Sequence, residues 1–564
     1  MKNHKQEYRK VIEKILSGEI KTAGQLDLEK RRLAKELNLG KFIRNSEILR
    51  YAKPSEKEKL KLLVKKPIRT ESGVAVVAVM TKPAPCPHGK CRYCPGGPQI
   101  DVPQSYTGKE PATRRAIQYG FDPYMQTTFR LEQLKTIGHP VDKVELIVMG
   151  GTLTAQCIDY QEWFVKRCLE AMNDFEENYD FIFNSGDTAF LEKKKEEEYK
   201  FRYLEEIQEM NETAPARCVG VTFEPRPDWA KKEQIDYMLN LGVTRIEMGV
   251  QNPYDFIYRR INRGHRVKDV AEATRQLKDS GLKVALKDSG LKVAYHMMPG
   301  LLGYNPGLDL RGFKKIFEDE RFRPDMLKLY PLIILKGTEY YDMWEKGEFE
   351  PITTRQAVEI IVKVKEMMPK WVRTIRIMRD IPSNLVEAGI KSSNLGEIVY
   401  KEMEKMGIKC SCIRCREVGH KLREGIEPKL DYIGLTRTEY DASGGREIFL
   451  SYEDTKQDIL IGFLRLRKPH GPFRKEIVDA MLVRELHVYG PMVEIGESPR
   501  YEWQHRGYGR ELLAEAERIS REEFDAGKIL ITSGIGARDY YRKFGYRGDG
   551  VYMGKELCRS DSSC

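Results

Sequence analysis

Three cysteines, Cys86, Cys91 and Cys94, fall within nine positions of the stretch PCPHGKCRYCPGGP, spaced C-x4-C-x2-C. Three thiolates can hold three irons of a 4Fe-4S cluster and leave the fourth iron open for a small molecule, whereas a closed structural site wants four ligands. A zinc site with His88 as fourth ligand is the competing reading, in a loop cramped relative to the usual zinc spacings. A second set, Cys410, Cys412 and Cys415, reads C-x-C-x2-C with His420 five residues on. Three soft sulfurs and an imidazole suit tetrahedral zinc, expected here as a structural clip. The third constellation is QHRGYG at Gln504 to Gly509, a Q-x-x-G-x-G turn entering a helical stretch from about Tyr508. Glycines let the backbone approach a ligand, and successive N–H groups at a helix N-terminus cradle a pyrophosphate. Tyr540 and Tyr541 follow in ARDYYRKFGY, where helix packing is the plain alternative to a role in chemistry.

The elements that must position these residues are legible as alternation. After a basic N-terminal segment, the β-rich runs GVAVVAVM, KVELIVMGG, YDFIFNSG, RCVGVTFE, VTRIEMGVQ, LKVAYHMMPGL and DMLKLYPLII alternate with helical stretches. That pattern predicts βα units and a parallel barrel, complete or partial, over residues 71–336, with its active site at the C-terminal ends of the strands. The first three cysteines follow the first predicted strand, where such a site would lie. Residues 337–426 read as a mixed linker region holding the second cysteine set. Residues 427–564 alternate again as a smaller α/β unit.

The whole chain has a formal charge of +11, and residues 1–70, with 20 Lys or Arg against 9 Asp or Glu, carry all of that excess. Apolar residues at helical spacing with Lys and Arg between them predict short helices with a basic outer face, suited to a polyanion such as nucleic acid. Eleven cysteines, an odd number in two clusters and five singletons, fit clustered metal ligands in a reducing compartment better than a disulfide framework. No apolar run approaches the ~20 residues of a membrane helix, so a cytoplasmic protein is expected. LKDSGLKVA occurs twice in succession, at Leu277–Ala285 and Leu286–Ala294, and leaves nine surplus residues that a surface loop would absorb.

With a strand before it, Tyr93 ahead of its last cysteine, and Gly150-Gly151-Thr152 closing the second strand, the first half resembles the radical S-adenosylmethionine superfamily. The resemblance implies a 4Fe-4S cluster on Cys86, Cys91 and Cys94, S-adenosylmethionine on its open iron, an external electron donor, and a methionine-binding role for Gly150, Gly151 and Thr152. Four residues separate the first two cysteines here, where three are commonest in that superfamily. Glu224 and Arg226, after a strand end, are candidates for contact with S-adenosylmethionine or for a plain ion pair. The second half, with the strand VRELHVYG before QHRGYG and ILITSG after it, resembles the GNAT acetyltransferase fold, which implies acetyl-CoA.

Both modules together, with QSYTGKEPATRRA, INRGHRV, RDIPS, REVGH and RELHVYG, resemble the family of Elongator catalytic subunits in its archaeal form over nearly the whole chain. That resemblance implies modification of carbon 5 of the wobble uridine in the tRNA anticodon to a carboxymethyl group, using acetyl-CoA and a 5′-deoxyadenosyl radical. It places coenzyme contacts on Lys143, on Glu485, Leu486, His487 and Val488, on Tyr508, Gly509, Arg510 and Glu511, and on Tyr541. Tyr540 and Tyr541 then stand beside the thioester as catalytic candidates, and Lys143, counted with them, reaches the coenzyme phosphates across the domain interface unless it is an ordinary surface lysine. The alternative, a GNAT lysine acetyltransferase acting on proteins, would need only the C-terminal half. The sequence leaves the oligomeric state open.

Overall fold

GVAVVAVM forms the first strand because its β-branched residues fit a pleated, buried surface. The structure, a computed structural model, describes residues 4–39, 42–64, 70, 73–185, 203–280, 291–490 and 506–557. Its first half holds β1 (Ala75–Met80), β2 (Lys143–Met149), β3 (Arg217–Phe223), β4 (Arg245–Gln251), β5 (Lys292–Met297), β6 (Met326–Leu329), β7 (Ile334–Leu335), β8 (Arg373–Ile377) and β9 (Val386–Ala388). Seven of these form one sheet in the order β1-β2-β3-β4-β5-β6-β8, and every neighbouring pair is parallel. β1 and β8 are not paired with each other, so the barrel is partial.

Two details depart from the sequence pattern. YDFIFNSG is not a strand: its residues to Ser185 lie in the helix Phe175–Ser185. Glu176 and Glu177 sit in the first turn, and the Phe175 and Tyr179 rings, one helical turn apart, pack at 5.8 Å. A side-chain contact at a spacing of four within the helix therefore outweighs the β preference of the aromatic residues. The segment 337–426, read as a linker, supplies β8 to the main sheet.

The duplicated nonapeptide is divided between two elements. Its first copy ends the helix Val267–Asp279, and its second supplies Lys292, Val293 and Ala294 to β5. Residues 281–290 between them lie outside the described residues.

The N-terminal segment folds as α1 (Lys5–Leu16), α2 (Ala23–Glu36) and α3 (Asn45–Leu49), around a core of its own that includes Val11, Ile12, Leu26, Ile48 and Leu60. Lys10, Arg31, Lys35 and Arg44 are exposed on it, while Lys30 is buried against Asn45 and Phe42.

The C-terminal unit is a second seven-stranded sheet, β10 (Ile433–Ala442), β11 (Gly445–Asp454), β12 (Ile459–Lys468), β13 (Ala480–Val488), β14 (Lys528–Ile531), β15 (Arg547–Asp549) and β16 (Tyr552–Glu556), in the order β10-β11-β12-β13-β14-β16-β15. β13 and β14 pair in parallel only from Ala480 to Val483, after which β13 runs on to Val488 beside β12 alone. The two strands therefore splay apart.

This unit docks on the N-terminal ends of the first sheet. Arg484 bonds both oxygens of Asp325, just before β6, and Arg467 Nε lies 3.0 Å from Asp279. Gly536 lies against Arg217 at the start of β3 so closely that a side chain there would strike it.

Candidate active site

Beyond β1 the chain turns twice, with Gly89 N donating to Cys86 O and Cys94 N to Cys91 O, both at 3.0 Å. These turns face all three thiols into one cavity of about 930 Å³, which also takes in the C-terminal halves of the strands. Cys91 Sγ lies 3.1 Å from His88 Nε2 and 3.6 Å from Arg263 Nη1, and Cys94 Sγ lies 2.7 Å from Ser105 Oγ. The hydrogen bond from Cys94 holds the Cys91 thiol well below its ordinary pKa against the cost of burial, with Arg263 adding to the effect, while Cys94 keeps its proton and is pushed up. A thiolate beside a buried guanidinium, with two more thiols on the same loop, is a donor set that fits a thiolate-bound iron–sulfur cluster.

The glycine turn stands beside this loop. Gly150 and Gly151 have φ of +123° and +88°, and Thr81 occupies the space where a side chain on Gly150 would go. Both positions therefore need glycine. Thr152 Oγ1 comes to 3.9 Å from Cys86 Sγ.

Glu224 and Arg226 both line the cavity without pairing with each other. Arg226 grips Asp228 at 2.7 Å and the Arg263 carbonyl at 2.9 Å, and Glu224 meets Lys328 at 3.2 Å.

The concave face of the sheet is charged, with Glu247, His296 and Lys328 in the cavity wall itself. Arg245 pairs with Glu145 and Glu247, and Glu247 also with Lys328 and His296. At the far end Lys292 Nζ lies 3.7 Å from Glu485 of β13. None of Arg245, Glu247, Lys292, His296, Lys328 or Arg263 was picked out from the sequence as a site residue. For those on strands the available signal was a polar residue on one face, Arg245 and Glu247 in β4, Lys292 and His296 in β5 and Lys328 in β6, of a parallel sheet that should be apolar throughout; Arg263, outside the strands, gave none.

The coenzyme-side candidates gather around the splay. Gln504 and His505 lie outside the described residues. Gly507, at φ +93°, caps the helix Tyr508–Glu522, so Tyr508, Gly509, Arg510 and Glu511 form its first turn. A side chain on Gly509 would come to 2.9 Å from the Tyr540 hydroxyl and 3.7 Å from Val488. Tyr540 thus reaches the turn, and burial raises its pKa to about 12. Tyr541, the next residue, points elsewhere on its short helix and is buried in the core against Tyr546. Glu485 is buried in an ion pair with Arg465 at 2.6 Å, so its side chain serves the interface, while Leu486 is buried and the His487 ring packs at a tilt against Tyr489, 4.0 Å away. Lys143 opens β2 in register with Arg217, the residue Gly536 packs on, and so stands at the junction of the two halves.

The second cysteine set is assembled without its histidine. The sulfurs of Cys410, Cys412 and Cys415 lie within 4.8 Å of one another. His420 turns away, its Nε2 3.2 Å from Glu417. The buried Lys365 ammonium instead donates to Cys412 Sγ at 3.1 Å and to Thr374 at 3.0 Å.

Comparison with known proteins matches four family models along the chain. These are the ELP3 N-terminal domain at residues 5–71, the Radical SAM superfamily at 84–307, the Radical_SAM C-terminal domain at 324–405 and the Acetyltransferase (GNAT) family at 420–546. The chain is 54% identical over 520 residues to the tRNA uridine(34) acetyltransferase of Methanocaldococcus jannaschii, covering 91% of this chain and 90% of that protein. It is 43% identical to the human Elongator complex protein 3, covering 87% of this chain and 86% of that one. Among solved structures, the archaeal Methanocaldococcus infernus Elp3 with N-terminus deletion (1-46) superposes with a TM-score of 0.71 at 49% identity, covering 86% of this chain and 99% of that chain.

Proposed function

The chain belongs to the Elongator complex protein 3 family, and from that premise we propose that it is the tRNA enzyme that builds a carboxymethyl group on carbon 5 of the wobble uridine from acetyl-CoA. One observation carries the reading: the splay of β13 from β14 faces one end of a partial barrel whose other end holds three cysteines.

The vinylic carbon of uracil is a weak nucleophile toward a thioester, so acyl transfer alone does not form this bond. Cys86, Cys91 and Cys94 would hold a 4Fe-4S cluster, which together with S-adenosylmethionine would supply a 5′-deoxyadenosyl radical able to take hydrogen from the acetyl methyl. Gly150, Gly151 and Thr152 receive the methionine end of the cofactor. Backbone groups of Glu485, Leu486, His487 and Val488 hold the pantetheine arm, and those of Tyr508, Gly509, Arg510 and Glu511 hold the pyrophosphate. Tyr540 flanks the thioester, which points along the charged concave face toward the cavity; Lys143 meets the coenzyme from the junction of the two halves, and Tyr541, buried in the core, packs behind Tyr540 at 5.2 Å rather than touching the thioester. Cys410, Cys412 and Cys415 hold a structural zinc, with Lys365 as a hydrogen-bond donor to its sulfur ligand and His420 outside the ligand set.

The basic helices α1 to α3 bind tRNA, an external donor feeds electrons to the cluster, and the protein works in the cytoplasm. No helix among the described residues is long and apolar enough to cross a membrane. A lysine acetyltransferase would have no use for the cysteine cavity. Anaerobic turnover with acetyl-CoA deuterated in its methyl group tests the reading. Deuterium is expected in 5′-deoxyadenosine, and 5′-deoxyadenosine that stays unlabelled would overturn it.

A further inference from the structure

We propose that His296 is the base that removes the proton from carbon 5 of the uridine, held in its working tautomer by Glu247. The proposal rests on the functional reading above and names a group for a step that the reading requires. When the acetyl-derived carbon radical adds at carbon 5, that carbon still bears its hydrogen and the unpaired electron moves to carbon 6. Restoring the ring removes one proton and one electron. The C5–H bond breaks, the proton goes to His296 Nδ1, the bonding pair becomes the C5=C6 double bond, and the surplus electron passes to a one-electron acceptor, the oxidised iron–sulfur cluster.

His296 and the three cysteines line the same cavity. Its Nε2 lies 2.9 Å from Glu247 Oε2, and its ring stands edge-on to Tyr330 at 5.4 Å. Glu247 is fully buried, yet Lys328 and Arg245 outweigh the cost of burial and keep its carboxyl well below the usual range. An ionised carboxylate can only accept, so Nε2 carries the hydrogen and Nδ1 presents its lone pair. Nδ1 makes no hydrogen bond among the described residues.

The other titratable groups nearby are committed. Glu247 is enclosed by Arg245, Lys328 and His296; Glu224 faces Lys328 and the Tyr106 hydroxyl. Lys328 is held as an ammonium, its pKa raised by Glu247 against burial, and cannot accept a proton. Burial raises the Tyr330 pKa although Lys328 and Arg376 oppose it, so its phenol stays protonated. Ligand atoms of Glu224, Glu247 and His296 lie within 4.8 Å of one another, but the Lys328 ammonium already pairs with both carboxylates, so a proton-transfer role fits the group better than a metal.

The test compares wild-type, H296Q and E247Q full-length enzyme, reconstituted with its cluster and supplied with acetyl-CoA, S-adenosylmethionine, tRNA and dithionite under anaerobic conditions. H296Q is expected to keep forming 5′-deoxyadenosine while carboxymethyluridine falls about 10²–10⁴-fold, the range lost with a general base. Dithionite then reduces the stalled adduct radical, and a 5,6-dihydro product two mass units heavier appears. E247Q is expected to displace the acidic limb of the pH–rate profile. Nitrogen NMR of histidine-labelled protein reads the same arrangement without turnover: His296 as the Nε2–H tautomer in wild type, and a tautomer mixture in E247Q.

An H296Q enzyme that makes carboxymethyluridine at the wild-type rate overturns the proposal. So does one that loses 5′-deoxyadenosine together with the product, because His296 would then act before the addition. A wild-type enzyme that makes no carboxymethyluridine overturns the functional reading and this inference with it, whereas product from both enzymes overturns only the inference.

Discussion

Cys94 separates the two chemistries at the scale of a single side chain. Cys94→Ala leaves two sulfurs where the cluster needs three, so iron content after reconstitution and 5′-deoxyadenosine formation should both collapse, while acetyl-CoA affinity, read by calorimetry, stays as in wild type. Retention of 5′-deoxyadenosine formation by that variant would show the ligands to be elsewhere. The second cysteine set gives a metal prediction of opposite sign for two neighbours. Cys412→Ala should release zinc, measured by atomic absorption, whereas His420→Ala should not, because His420 lies against Glu417. The cysteines were legible because they cluster in sequence. That His420 turns away was not, since a spacing of five residues says how far a side chain can reach and nothing about the carboxylate that competes for it.

At the scale of elements, the turn after β2 shows what holds the first cysteine loop in place. Gly150→Ala would put a methyl group into Thr81 at a φ that L-residues avoid, a strain on the order of 1–3 kcal/mol. Thermal unfolding should register that loss. S-adenosylmethionine cleavage should fall with it, because Thr152 would move relative to Cys86. Apolar runs and their alternation with helices made the parallel sheet readable before the structure, and those residues became its strands. YDFIFNSG failed for a nameable reason: its aromatic residues suit a strand, but Tyr179 packs on Phe175, one helical turn before it. The charges of the concave face were visible as letters in the strands and invisible as a site. Arg245, Glu247, His296 and Lys328 come from three strands, and only the register of β4, β5 and β6 brings them together.

At the scale of the whole molecule, the two halves act as one body because their junction is sealed by buried charges. Asp325, fully buried, meets Arg484 at 2.8 Å, with Lys278 and Glu447 close by. Replacing Asp325 by Ala leaves the Arg484 charge short of a partner, a change worth about 3–5 kcal/mol, which denaturant unfolding should report. Burial raises the Asp325 pKa, but Arg484, Lys278 and Arg465 outweigh it and hold the group well below the usual carboxylate range. Its contribution is therefore present in full above about pH 4, the unfolded value, and is lost as pH falls below it. Wild-type stability should drop across that acid window, and Asp325→Asn should flatten the drop. The sequence announced two cofactor modules but not their arrangement, since the junction partners Arg484 and Asp325 lie 159 positions apart and Arg467 and Asp279 lie 188 apart. Nucleoside mass spectrometry of tRNA after anaerobic incubation with the reconstituted protein, acetyl-CoA and S-adenosylmethionine tests the central claim most directly: a carboxymethyl group on the wobble uridine is predicted, and an anticodon uridine of unchanged mass beside consumed acetyl-CoA and 5′-deoxyadenosine would contradict it.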